Sequence, residues 1–171
     1  MLSQTNVSKT VIDVGAGMNI PVAEGTFKDD YNLGYNIICG AVFILDDEWG
    51  IRPGLRYDYF SRKITAEISE GYAAIINLKI DAIYSDNISK KNIVPYGFAG
   101  IGIGNIKWAR TFKLIREENS QFNFILNGGV GTKYNLSSEF SLFGEIGFNY
   151  NGKDIKEKTF INISTGLQLK L

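Results

Sequence analysis

The stretch FINISTGLQLKL, residues 160–171, shows the alternation that decides the fold. One parity is mostly apolar and the other is polar or glycine: Ile161, Ile163, Thr165, Leu167, Leu169 and Leu171 against Asn162, Ser164, Gly166, Gln168 and Lys170. A period of two predicts a β-strand with one apolar and one polar face. Its length of about eleven residues exceeds that of a usual globular strand and suits a tilted strand that crosses a membrane.

The same alternation recurs along the chain. It predicts eight strands in all, at about 10–22, 31–45, 49–60, 72–84, 93–108, 121–136, 140–150 and 160–171. In the fifth strand glycines blur the parity, and Ala99, Ile101 and Ile103 are placed on the apolar side. We therefore predict an all-β fold, an eight-stranded antiparallel up-and-down transmembrane β-barrel.

The connections between the predicted strands differ in length. Those after the first, third, fifth and seventh strands are the longer ones, and the longest is predicted at 109–120. Long loops at one end and short turns at the other are typical of outer-membrane barrels. The polar start, residues 1–9, is expected to be a flexible lead before a single barrel domain at 10–171.

Composition excludes several classes of function. The chain has 171 residues with 18 basic and 18 acidic side chains, so no nucleic-acid partner is indicated. It has no histidine and one cysteine, Cys39. Histidine-dependent catalysis and the usual histidine or multi-cysteine metal sites are therefore ruled out. We expect no catalytic residue, no cofactor and no metal.

Charged residues inside the predicted strands indicate which face points inward. Nine of them share the polar face, as five cations and four carboxylates: Asp13, Arg52, Arg56, Asp58, Lys79, Asp81, Lys133, Glu145 and Lys170. Many of their neighbours on that face are glycine, which leaves room for long side chains to cross a narrow lumen. A near balance of charge is what a desolvated network requires. We predict that these residues form a lumen charge network.

Aromatic residues on the apolar face lie toward the strand ends. They are Trp49, Tyr57, Tyr59, Tyr72, Tyr84, Tyr134, Phe140 and Tyr150. This banding resembles the aromatic girdles at the two edges of a lipid-facing surface. One alternative is a soluble lipocalin-like ligand-binding barrel, which turns its apolar face inward. Another is a narrow ion channel through the lumen.

Several stretches resemble the small eight-stranded outer-membrane barrels of Gram-negative bacteria, the OmpA transmembrane domain, OmpX-like and porin-family group. They are VGAGMNIP, PYGFAGIGIG, NGGVGTKYNL, LFGEIGFNY and the final FINISTGLQLKL. The stretch GMNIPVAEGTFKDDYNLGYN is most similar to the Bacteroidetes branch. The resemblance implies a monomeric barrel in the bacterial outer membrane, in contact with lipid and lipopolysaccharide. Enzymes of this fold use histidine, which the chain lacks.

The predicted connection 109–120 carries the strongest candidate for a contact outside the lumen. Arg110, Lys113 and Arg116 could bind lipopolysaccharide phosphates, or the segment could simply be a solvated loop. With a lumen filled by side chains, we expect a structural or interaction role. That role would be membrane integrity, surface contact, or membership of an envelope assembly with a protein partner.

Overall fold

The computed structural model describes residues 10–22, 26–85, 92–152 and 159–171. Eight antiparallel strands pair in chain order and β8 pairs with β1, which closes a barrel. The strands are β1 (Thr10–Pro21), β2 (Tyr31–Ile44), β3 (Trp49–Arg62), β4 (Ile68–Tyr84), β5 (Ile93–Phe112), β6 (Ile115–Asn135), β7 (Phe140–Asn151) and β8 (Thr159–Lys170). The predicted eight-stranded up-and-down barrel is confirmed; the predicted lead at 1–9 lies outside the described residues.

A short helix, α1 (Thr26–Asp30), lies between β1 and β2, where the sequence predicted only a connection. It positions Phe27, which is buried, over the end of the barrel. No helix in the described ranges is long and apolar enough to cross a membrane.

The two rims of the barrel differ. Both ends of the barrel chain meet at one rim, where the Leu171 amide donates to the Thr10 carbonyl at 2.9 Å. We call this the terminal rim; the connections 45–48 and 136–139 and the strand ends at Tyr84 and Ile93 lie there too. The opposite rim, which we call the projecting rim, holds the ends of β1, β3, β5 and β7.

The predicted long loop at 109–120 is wrong. β5 runs to Phe112 and β6 begins at Ile115, so only Lys113 and Leu114 form the turn. Both have left-handed backbone conformations, with φ of 46° and 70°. The apolar alternation ends here because neither face of this hairpin meets the membrane core. The backbone ladder nevertheless continues to the tip, with Phe112 opposite Ile115.

The long β5–β6 hairpin extends beyond its neighbours. β7 pairs with β6 only as far as Ile125, which lies opposite Asn151, the last residue of β7. On the other side β4 follows β5 almost to the tip, where Ile68 lies opposite Phe112. Residues 68–72, 107–112 and 115–124 therefore form a three-stranded extension at the projecting rim, which we call the projecting sheet.

The outer wall of the barrel is apolar. Ile80, Ile101 and Ile103 are each more than half exposed on it, and Ala99 is exposed beside them, as predicted for β4 and β5. Aromatic side chains gather toward both rims: the Trp49 and Tyr84 rings lie 5.0 Å apart at one and the Tyr59 and Tyr72 rings 5.9 Å apart at the other. The lipocalin-like alternative is therefore wrong, because the apolar face points outward.

Candidate functional site

The centre of the lumen holds a group of ion pairs around Arg52. Its Nε and Nη2 donate to Asp81 Oδ2 at 3.0 and 2.8 Å, while Nη1 contacts Asp13 at 3.4 Å and also donates to Glu145. Lys79 Nζ reaches the same Asp81 oxygen at 2.8 Å. All five side chains are buried, and we call them the Arg52 cluster. Four strands supply them, since each presents the same parity to the lumen.

A second polar group surrounds Arg56, nearer the projecting rim. Arg56 Nε donates to Asp58 Oδ1 at 2.7 Å and Nη2 to Asn19 Oδ1 at 2.9 Å. Amides of Asn19 and Asn77 donate to the two Asp58 oxygens at 2.9 and 3.0 Å, and Asn36 donates to Asn19. We call these five residues the Arg56 cluster. Its single ion pair is completed by neutral amides that bond both Asp58 oxygens, while Asn77 Oδ1 is buried without a hydrogen bond.

Nine charged residues were predicted on the lumen face, and seven of them lie in these two clusters. The other two, Lys133 and Lys170, lie toward the terminal rim. Lys133 is buried, and Lys170 Nζ donates to Asn135 Oδ1 at 3.1 Å. The lumen charges thus form two separate groups with a basic region below them, rather than one continuous chain.

Aromatic side chains close the lumen at the projecting rim, a feature that the sequence analysis missed. The Phe27 ring lies 4.9 Å from that of Phe60, which lies 5.1 Å from that of Phe160. Phe60 and Phe160 have no exposed surface, and the Arg56 guanidinium lies 5.8 Å from the Phe160 ring centre. We call Phe27, Tyr31, Phe60 and Phe160 the aromatic plug. Phe60 and Phe160 have the polar parity of their strands, so alternation alone hides them. Phe27 lies in α1, and Tyr31 is buried because the β2–β3 register shifts between Tyr31 and Gly34.

Another apolar group lies below the Arg52 cluster, toward the terminal rim. Val11, Val42, Ile83 and Phe98 are buried together there, and the Arg52 guanidinium lies 5.1 Å from the Phe98 ring centre. The lumen is thus filled in layers: an apolar group, two charged groups and the aromatic plug.

Glycines leave the space that the charged groups occupy. A Cβ at Gly100 would lie 2.2 Å from Asp81 Oδ1, and one at Gly104 would lie 2.3 Å from Asn77 Oδ1. A glycine on the outer wall has room for a side chain, since a Cβ at Gly97 would lie 3.9 Å from its nearest neighbouring atom. The lumen glycines are therefore required by packing.

The three cations predicted as a loop contact do not share one surface. Arg110 Nε pairs with Glu117 at 2.6 Å, Lys113 lies 3.5 Å from Glu67 at the tip, and Arg116 pairs with Glu118 at 2.7 Å. Arg110 lies opposite Glu117 and Thr111 lies opposite Arg116 in the hairpin. Arg110 and Arg116 therefore lie on opposite faces of the sheet. The hydrogen bond from Arg116 lowers the pKa of the Glu118 carboxyl.

Within the described ranges no group of acidic or cysteine residues is arranged to hold a metal ion. The chain matches the model of a family described as outer membrane protein beta-barrel domain over residues 2–169. It belongs to this family of outer-membrane barrels. Its location is accordingly the bacterial outer membrane, and its apolar wall contacts lipid.

Solved structures of other outer-membrane proteins share the fold. Neisserial surface protein A is 17% identical, with 95% of this chain and 97% of that one covered and a TM-score of 0.66. The attachment invasion locus protein Ail of Yersinia pestis is 13% identical over 96% and 99%, with a TM-score of 0.62. OprG of Pseudomonas aeruginosa is 12% identical over 96% of both, also at 0.62. No curated protein is significantly similar in sequence. At these identities the outer-membrane barrels share their architecture with this chain.

Proposed function

We propose that this outer-membrane barrel is a closed scaffold that presents the projecting sheet to an envelope or surface protein. The observation that carries the proposal is the free edge of β6. Within the described ranges no strand pairs with residues 115–123 on the side away from β5. An unpaired edge exposes a row of backbone N–H and C=O groups that can pair with another chain.

The side chains of this edge favour a selective contact. Arg116, Glu117 and Glu118 place charges along it, which discourages two copies of the same edge from pairing. Phe122 is 78% exposed and Ile115 66%, so apolar anchors are present as well. An extended segment of a partner would add as a fourth strand, with the backbone giving affinity and these side chains giving selectivity.

The lumen supports this role by making the scaffold rigid and closed. The Arg52 and Arg56 clusters tie strands across the barrel, and the aromatic plug closes the rim from which the sheet projects. Binding surfaces commonly stand on a rigid framework of this kind. Orientation follows the usual arrangement, in which an even-stranded barrel keeps both chain ends on the periplasmic side. The projecting sheet is then extracellular.

The test shortens the hairpin without changing its register. Replacing residues 109–118 by Asn-Gly leaves Trp108 opposite Asn119 and supplies a turn that suits a two-residue hairpin. We expect normal folding, seen as heat-modifiable migration, and loss of the partner that crosslinks to the intact barrel. In the intact protein that partner should slow hydrogen exchange at 115–123.

The matched control keeps the backbone edge and exchanges two charges, as Arg116→Glu combined with Glu118→Arg. Recognition by strand addition should survive this exchange in weakened form, whereas the shortened hairpin should not bind. If the shortened barrel retains the partner, residues 109–118 of the projecting sheet are not the contact surface.

The narrow ion channel remains a second candidate, favoured by the two polar clusters that lie one above the other. The aromatic plug and the apolar group at Phe98 oppose it. Planar-bilayer recordings of the unmodified protein should show no large steady conductance. Stable openings of porin size would contradict the closed lumen.

A further inference from the structure

A cavity on the outer face of the projecting rim lies apart from the lumen and shares Arg116 with the free edge of β6. It encloses about 300 Å³ and is lined by Tyr59, Glu70, Gly71, Tyr72, Ala109, Arg110, Thr111 and Arg116. This volume lies at the lower end of the range of small-ligand pockets, about 300–1,000 Å³. We call it the Tyr72 pocket.

Aromatic rings and a buried alanine form the apolar part of the pocket. The Tyr59 and Tyr72 rings are stacked, with centres 5.9 Å apart and 16° between their planes. Tyr35 continues the stack at 5.1 Å from Tyr59, which fixes the orientation of these rings. Ala109 has the parity of the outer face but is only 3% exposed, so it lies at the bottom of a recess.

Polar groups surround this apolar part on the side toward the hairpin tip. Thr111 Oγ1 donates to Glu70 Oε1 at 3.0 Å, and Arg116 Nε donates to Glu118 at 2.7 Å. Glu70, Thr111 and Arg116 retain further hydrogen-bonding capacity, because a carboxylate has two oxygens and a guanidinium has five N–H donors. The pocket thus combines flat apolar rings with both donors and acceptors.

The balance of charge limits which ligand can bind. On the face that holds the pocket, Arg116 pairs with Glu118, and Lys107 lies 3.9 Å from the same Glu118 carboxylate. With Glu70 these groups make two cations and two carboxylates, so the face carries no excess of positive charge. A phosphate or sulfate would find no excess of positive charge here and would have to displace existing ion pairs. An uncharged polar ligand needs no excess of positive charge and leaves the ion pairs in place.

We propose that the Tyr72 pocket binds an uncharged hexopyranose ring, with its C–H face against the tyrosine rings and its hydroxyls on Glu70, Thr111 and Arg116. Aromatic rings offer a large apolar surface of fixed geometry for such a face. Hydroxyl groups bonded to a carboxylate and a guanidinium form charge-assisted hydrogen bonds, which are stronger than neutral ones. The ring can belong to an outer-leaflet glycolipid or to a soluble glycan.

The experiment uses the folded barrel in phospholipid nanodiscs and saturation-transfer NMR with methyl glucoside, methyl mannoside and methyl galactoside. At least one should bind saturably, and both Tyr72→Ala and Glu70→Gln should weaken it about tenfold. The control is Tyr84→Ala, which removes a girdle tyrosine whose ring lies 5.0 Å from that of Trp49, tilted by 55°, near the other rim. It should leave sugar binding unchanged, whereas a purely membrane-anchoring role predicts no sugar binding in any variant.

Two further arms complete the test. Nanodiscs that contain a neutral glycolipid should compete with the soluble sugar if the natural source is a membrane lipid, and should not compete if the source is a free glycan. Preference for glucose 6-sulfate over the uncharged sugars, or saturable binding by none of them, would overturn the proposal. Tyr72→Ala and Glu70→Gln leave the β6 edge intact, so partner crosslinking in these variants tests the proposed function independently.

Discussion

The same kind of ion pair occurs in two regions of this barrel with opposite surroundings. Arg52 and Asp81 lie 2.8 Å apart in the lumen, where their side chains are 5% and 0% exposed. Arg116 and Glu118 lie 2.7 Å apart on the projecting sheet, where theirs are 58% and 41% exposed. A nearly equal distance therefore joins a pair shielded from water and a pair open to it. Burial decides how much stability is lost when one partner is removed, because water cannot solvate the buried charge that remains.

The largest effect is expected from breaking the buried pair. Arg52→Met leaves Asp13, Asp81 and Glu145 with only Lys79 nearby and should lower the free energy of unfolding by about 3–5 kcal/mol. Urea titration of the protein folded in lipid vesicles measures it.

Arg116→Met is the matched control for this comparison. It removes the same side chain from a pair with a nearly equal distance, but water can solvate the Glu118 carboxylate that remains. We expect no measurable change in unfolding. Equal losses in the two variants would show that burial does not separate the two regions.

Parity explains why much of the lumen could be predicted from the sequence. Arg52, Lys79 and Asp81 alternate with apolar neighbours inside long strands, so their shared face follows directly from the period of two. The aromatic plug could not be found in this way. Phe60 and Phe160 have the same parity as the charges, and only closure of the barrel shows that this parity is buried at the rim.

The next test concerns the outer wall, where a charged side chain should destabilise the barrel because no ion-pair partner or water is available in lipid. Ile146 lies at the middle of β7 and is 54% exposed on the outer wall. Ile146→Arg should cost about 2–4 kcal/mol, the expected penalty for arginine at the bilayer midplane. Leu169→Arg, on the same face but beside Phe140 at the terminal rim, should cost about 0–1 kcal/mol. The same vesicle titration measures both, and equal penalties would mean that the wall does not face lipid.

Glycine-to-alanine substitutions compare the lumen with the outer wall through smaller changes in stability. A Cβ at Gly100 would lie 2.2 Å from Asp81 Oδ1 and 2.6 Å from the Ile80 carbonyl oxygen. Gly100→Ala should therefore destabilise the barrel by about 1–3 kcal/mol. On the outer wall the nearest atom to a Cβ at Gly128 would be at 3.4 Å. Gly128→Ala should be neutral or stabilise by about 0.5–1 kcal/mol; a loss similar to that of Gly100→Ala would contradict the packing argument.

The projecting sheet was the hardest part to predict, for a physical reason. Apolar alternation reports the contrast between lipid and lumen, and neither surrounds Arg110 or Arg116. Their hairpin is held by its backbone ladder, which leaves no hydrophobic pattern in the sequence. Its turn, Lys113-Leu114, also lacks the Asn or Gly that usually marks a two-residue hairpin turn.

The smallest expected effect concerns this turn. Leu114 is 97% exposed and has φ of 70°, so its side chain gains little from packing while its backbone is strained. Leu114→Gly should stabilise the tip by up to about 1 kcal/mol, since glycine adopts the left-handed conformation without the steric penalty. Slower hydrogen exchange at 110–118 should report it, with global unfolding unchanged because the lumen clusters hold the barrel. Leu114→Ala removes almost the same side chain but retains the strain, so it should leave exchange unaltered. Equal slowing in both variants would attribute the effect to the lost leucine side chain rather than to the backbone.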